Sequence, residues 1–352
     1  MPTAFAMRKG EVSMAKADNA LQEYWDDEEK FADLFNAKLF GGKKVILPEH
    51  LMEADSRKTA VVKRSKGKAQ ETALMYRDLV KVAKIYPEYG VELVILGLEN
   101  QEHIHYAMPM RTMGYDYSEY KKQHRKLARY YKENPKGMTE DEFLSKMKRS
   151  DKLHPVITIV MYYGEKAWDG AKTLHEMLDV SEEIKPYVND YKMHLIEVKD
   201  NNLPLSNPNN RTLFQLCSIV LDEKKTDAQK REAAMQYEKE HKIDEEVLYA
   251  LAGATNCDLR KEDERGEMTM CTFFENMKEE GRQEGRLEGR TEGAECRIIG
   301  QTLKKIAKSL TVEETADMLE TDISVIKRIY DIKASNPEYG EKEIFEAMQK
   351  EK

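Results

Sequence analysis

Three residues have side chains of the kind that manage a hydrated divalent cation and a phosphate: Asp78, Glu99 and Gln101. Glu99 and Gln101 close the run from Val91 to Gln101, VELVILGLENQ, otherwise almost wholly apolar. On a strand, residues two apart share a face, roughly 7 Å from each other. Pro87 and Gly90 in YPEYG mark a hairpin connection, so 72–83 and 91–101 are expected to pair antiparallel. Reflection through a turn near residue 87 or 88 sets Asp78 opposite about Gly97. A one-residue adjustment makes it a diagonal neighbour of Glu99. Gly97 has no side chain, which leaves the surface beside Asp78 open.

Two carboxylates plus waters are what Mg²⁺ prefers, at about 2.0–2.1 Å, and Mn²⁺ can substitute. Such an ion polarises a phosphoryl oxygen and lowers the pKa of an attacking water. The Gln101 amide cannot ionise, but it can hydrogen-bond that water or a phosphate oxygen. Plainer readings stand beside these: Asp78 next to Arg77 as a surface ion pair, Glu99 as a solvated strand end. His103 and His105 also share a face and could assist proton transfer, although lone histidines at a strand end are usually structural.

The elements needed to position these residues can be read around them. Apolar residues at helical spacing (Leu21, Tyr24, Trp25, Phe31, Leu34, Phe35, Leu39) predict a helix over 21–40, stopped by Gly41-Gly42. Tyr115 to Lys136 reads as a helix closed by Asn134-Pro135. HPVITIVMYYG and KMHLIEVKD are strands, separated by a helical AKTLHEMLDV, and 211–254 is helical. Tyr106, Met108, Met110 and Tyr117 are expected in the core. Residues 1–19 read as a flexible leader and 20–256 as one α/β domain, a mixed sheet flanked by helices.

After Cys257 the composition changes. EEGRQEGRLEGRTEG repeats every four residues, placing Arg282, Arg286 and Arg290 on one drifting helical stripe. Each glycine costs a helix about 1 kcal/mol relative to alanine, so 257–300 reads as a marginal, charged helical linker. Residues 301–352 form a small helical module in which Thr311 and Glu314 fit a capping box and 320–322 break two helices in the manner of a helix-turn-helix. The repeat is also a possible homo-oligomer contact, without apolar heptads to set a register.

The chain of 352 residues carries a net charge of −8, which excludes a surface that is basic all over but not local basic patches. Two such patches stand out. Lys121, Lys122, Arg125, Lys126, Arg129 and Lys132 lie on the tyrosine-rich helix, and Arg64 and Lys66 lie in the acid-free 57–68 stretch. Lysines and arginines of this kind supply sequence-independent affinity for the DNA backbone. The four cysteines lack metal-site spacing and suit a reducing cytoplasm. The longest apolar runs, about eight residues, are far short of a membrane span.

The Asp–turn–Glu-x-Gln pattern resembles the PD-(D/E)-x-K nuclease superfamily. More closely, FADLFNAKLFGGKKVI, YRDLVK, ILGLENQEHIHYAMPMRTMGYDYSEY and PVITIVMYYGEKAWDGAKTLHEML resemble its recombination-promoting nuclease (transposase-like) branch of bacterial mobile-element proteins, whose EGRxEGR tail this chain shares. The resemblance implies a restriction-endonuclease-like fold and a Mg²⁺-dependent DNA endonuclease. Asp78 and Glu99 would be its metal-binding acids, and Asp33 the further acid approaching from the first helix. Gln101 stands where the superfamily has lysine, which removes a cation from the reacting phosphate. A catalytically decayed DNA-binding or oligomerising protein is the alternative.

Overall fold

The computed structural model describes residues 20–53, 79–84, 93–200, 202–257 and 269–350. The chain divides into two units, Met1–Asn276 and Met277–Lys352.

In the first unit the helix expected over 21–40 is two pieces. A helical segment over 20–26 stops at Asp27, whose carboxylate accepts the Lys30 N–H at 2.9 Å and starts α1, Glu28–Phe40. The side chain supplies the bond that the preceding turn would have given, so the helix restarts there. Gly41 ends α1 at φ 58, a left-handed conformation that glycine adopts without strain, and Gly42 donates to the Asn36 carbonyl at 3.0 Å. Buried Asn36 also binds the returning chain. Its amide donates to Ile46 O at 2.7 Å and accepts from Val45 and Ile46 N–H at 3.0 and 2.8 Å.

Five strands form one sheet in chain order: β1 Leu51–Glu53, β2 Leu79–Lys84, β3 Leu93–Gln101, β4 Val156–Tyr162 and β5 His194–Glu197. β1, β2 and β3 run antiparallel, whereas β4 is parallel to β3 and β5 to β4. Between β3 and β4 the chain passes through the long helix α2, Met108–Glu133, and the short α3, Glu140–Ser145. Leu79 pairs with Leu98 and Val80 with Gly97, so the hairpin register lies two residues from the expected one. The connection was centred slightly too early.

Alternation assigns the two faces. Leu96 and Leu98 share the α1 face with Lys81, the partner of Leu96 on β2, whose buried ammonium meets the Asp26 carbonyl and carboxylate and lies 5.6 Å from the Phe31 ring. On the other face Val80, Ile95 and Val156 cluster with Tyr120 of α2. Further along, Val160 and Tyr162 pack with Met108, Trp168 and Met193. The sheet therefore lies between α1 and α2. At the β5 edge the Lys38 ammonium donates to Leu195 O at 2.7 Å. Helices α4 (Pro208–Val220), α5 (Asp227–Glu240) and α6 (Glu245–Ala254) complete the unit.

Further expectations are corrected. The segment AKTLHEMLDV holds only a 3₁₀ turn, His175–Met177, because Thr173 pairs antiparallel with Lys192 and the Asp190 carboxylate takes the His175 N–H at 2.9 Å. Of the four residues placed in the core, only Met108 is buried; Tyr106, Met110 and Tyr117 are 66%, 49% and 61% exposed. Helix α2 begins at Met108 rather than Tyr115, so Met110 and Tyr117 lie on its outer face, while Tyr106 precedes it.

The boundary between units falls inside α7, Met270–Ile306, which contains all the Glu-Gly-Arg repeats. In the second unit α8 (Val312–Leu319), α9 (Ile323–Ser335) and α10 (Glu341–Lys350) follow. Ile299, Ile329, Ile344 and Met348 form its core. The Thr311–Glu314 capping box is present, with bonds of 2.8 and 3.2 Å, and Glu320 at φ 47 turns the chain into α9.

Candidate active site at the end of strand three

Glu99 and Gln101 sit at the end of β3 on the face covered by α2, with Val160 and Tyr162 of β4 as their Cα partners. Asn100 points the other way, accepting from Tyr163 OH at 3.2 Å, which in turn accepts from Trp25 Nε1 at 2.8 Å. That anchor on the α1 side fixes the strand end and so the direction of its two neighbours.

Glu99 is 2% exposed, a depth at which a carboxylate needs several donors. It has three of them on one oxygen. Arg111 Nη2 lies 2.8 Å from Oε1, Tyr115 OH donates to it at 3.0 Å, and Gln101 Nε2 donates at 3.2 Å. The same Gln101 nitrogen reaches Asn100 O at 2.8 Å, which orients the amide. Arg111 and Tyr115 are four apart on α2 and bond each other, Nε to the phenol oxygen, at 2.5 Å. The first turns of α2 are pinned here by buried Met108 and Thr112. Burial, and secondly the Glu99 charge, push the Tyr115 phenol well above its ordinary range, with Arg111 pulling back in part. Tyr115 is therefore a neutral donor to Glu99 at physiological pH.

Hard oxygen donors of this type suit Mg²⁺. Among the described residues the strand end contributes one carboxylate, Glu99, and no group of three or more His, Cys, Asp or Glu stands ready for a metal. Asp78 lies outside the described residues, as do Arg64 and Lys66.

Asp33 lies elsewhere. It is buried on α1, accepting from Ser206 N and Oγ at 2.7 and 2.6 Å and from Asn210 Nδ2 at 2.9 Å. These donors belong to the start of α4, where a carboxylate is favoured by the helix dipole. Asp33 thus docks two helices on the face of the sheet opposite Glu99, and the fold does not bring the two acids together. His103 and His105 are exposed beyond the strand end.

On α2 the exposed surface carries Lys121, Arg125, Lys126, Arg129 and Lys132. Lys122 is partly covered and pairs with Glu119 at 2.7 Å, and the Lys121 ammonium lies 5.7 Å from the Tyr117 ring. The α9 arginine has an internal use: Arg328 donates to the Met348 carbonyl at 3.0 Å. Sequence reasoning passed over Arg111 and Tyr115. Their i, i+4 spacing was visible, but only the packing of α2 on β3 turns that pair toward Glu99.

The chain matches no family model, no curated protein and no solved structure. No described helix is long and apolar enough to cross a membrane.

Proposed function

We propose that this protein is a Mg²⁺-dependent DNA endonuclease of the PD-(D/E)-x-K type. The observation that carries the reading is the Glu99–Gln101 pair, 3.2 Å apart on one face of the β3 end, with β2 paired antiparallel beside β3 from Leu79–Leu98 onward. The order α1–β1–β2–β3–α2–β4, antiparallel through β3 and parallel afterwards, agrees with a restriction-endonuclease-like core and supports the proposal. So does the row of cations on the outer face of α2, which suits a DNA backbone.

Asp78 and Glu99 would hold the ion. When bound, Mg²⁺ (or Mn²⁺) polarises the phosphodiester and lowers the pKa of the attacking water. Gln101, held by Asn100 O, positions water or a phosphate oxygen through its amide. Tyr115 holds the Glu99 carboxylate in one orientation by donating to it.

Plasmid nicking by wild type, Asp78→Ala and Glu99→Ala, purified side by side with Mg²⁺ or Mn²⁺, tests the assignment. Metal-dependent nicking that falls at least a hundredfold in both variants is expected. Equal cleavage by all three would end it.

One observation favours a second reading, a DNA-binding protein whose catalysis has decayed. Arg111 already neutralises Glu99. Metal-independent DNA binding with no nicking in any metal selects that reading.

A further inference from the structure

Gln101 cannot supply a positive charge to a reacting phosphate, yet the strand end is not without one. Arg111 enters from the first turn of α2 and puts a guanidinium against Glu99. Two bonds to two different partners fix its plane, Nη2 to Glu99 at 2.8 Å and Nε to Tyr115 at 2.5 Å. Its exposure differs sharply from that of its partner: the arginine side chain is 34% exposed and the glutamate 2%. The arginine is therefore the solvent-accessible member of the pair and the carboxylate the buried one. It also begins the helix whose outer face carries Lys121, Arg125, Lys126 and Arg129.

We infer that Arg111 is the substrate-contacting cation of this site, receiving the scissile phosphodiester on a guanidinium that Glu99 and Tyr115 hold in place. The role rests on the nuclease reading for its catalytic part but not for its phosphate contact. Arginine suits it, because a planar, permanently charged fork matches the oxygens of a phosphate and loses little freedom once two of its donors are anchored. Charge stabilisation of this kind costs about 10²–10³ in rate when one donor is removed.

Two measurements separate this inference from the reading beneath it. The first is nicking by wild type, Arg111→Ala and Gln101→Lys/Arg111→Ala. Loss of at least a hundredfold in the single variant is expected, with at least tenfold recovery when lysine is placed at position 101. Nicking by Arg111→Ala within threefold of wild type overturns the inference and leaves the nuclease reading intact. The second needs no activity. Binding of a short DNA duplex in EDTA is followed by fluorescence anisotropy over a salt series, comparing Glu99→Gln with Glu99→Gln/Arg111→Gln. Both of these lack the buried carboxylate, so neither leaves it without its cation. Removal of the arginine is expected to reduce the salt slope by about one. An unchanged slope overturns the inference whatever the nicking assay gives. A reduced slope in a protein that never nicks keeps the phosphate contact and rejects the nuclease.

Discussion

At the scale of single residues, Glu99 is the side chain on which most depends. A buried carboxylate that loses its cation is left with an uncompensated charge, so Arg111→Ala is expected to cost about 3 kcal/mol of stability. Glu99→Gln/Arg111→Gln should recover much of this, and urea denaturation of the three proteins measures it. Tyr115 carries a pH signature. Its folded-state phenol is raised above the ordinary value of 10.0, so above pH 10 the unfolded chain releases a proton that the folded chain keeps. Stability is therefore complete below pH 10 and declines as pH rises beyond it. Tyr115→Phe should show a shallower decline in thermal melts between pH 9 and 11, whereas an identical slope would contradict this. Of the site, Glu99 and Gln101 were legible because strand alternation is a strong constraint: two residues apart means one face. Arg111, ten residues later and on a different element, was not. No local rule says which turn of a helix lands on which strand end. Asp33 shows the converse. Its place on the first helix suggested chemistry through the resemblance, but the donors that engage it come from Ser206 and Asn210, 173 and 177 residues away. Asp33→Ala should lower stability by roughly 2 kcal/mol, the cost of leaving buried donors unmatched. Any loss of nicking should follow the folded fraction.

At the scale of elements, β3, β4, β5 and the end of α1 were readable from apolar runs and glycine stops. The 3₁₀ turn at His175–Met177 was not, because a long-range bridge from Thr173 to Lys192 overrides a periodicity that alone reads as helix. The tandem glycines of α7 were expected to weaken it, and where a Cβ would stand at Gly281, Gly285, Gly289 and Gly293 nothing lies within 4 Å. Gly285→Ala/Gly289→Ala should therefore stabilise the helix by about 1–2 kcal/mol in all, seen as a higher melting temperature by circular dichroism. A lower one would mean that the bare backbone is in use as a contact.

At the scale of the whole molecule, the two units have separate cores, Ile329 belonging to the second. Ile329→Ala should lower one step of a calorimetric trace and leave the other in place; a single shifted transition would refute independent folding. The association of whole molecules is governed elsewhere. Among the described residues, β1 and β5 are the outermost strands of the five-stranded sheet. A bare border of unpaired carbonyls and amides is an invitation to a strand from another chain. Here Lys38 spends its ammonium on Leu195 O, and burial together with the nearby Lys172 and Lys192 lowers its proton affinity. An incoming strand must first evict that side chain and then meet the neighbouring positive charges. The lysine thus works as a sentry for solubility: its loss would leave a dilute solution unchanged and be felt on concentration, as turbidity and slow fibre growth.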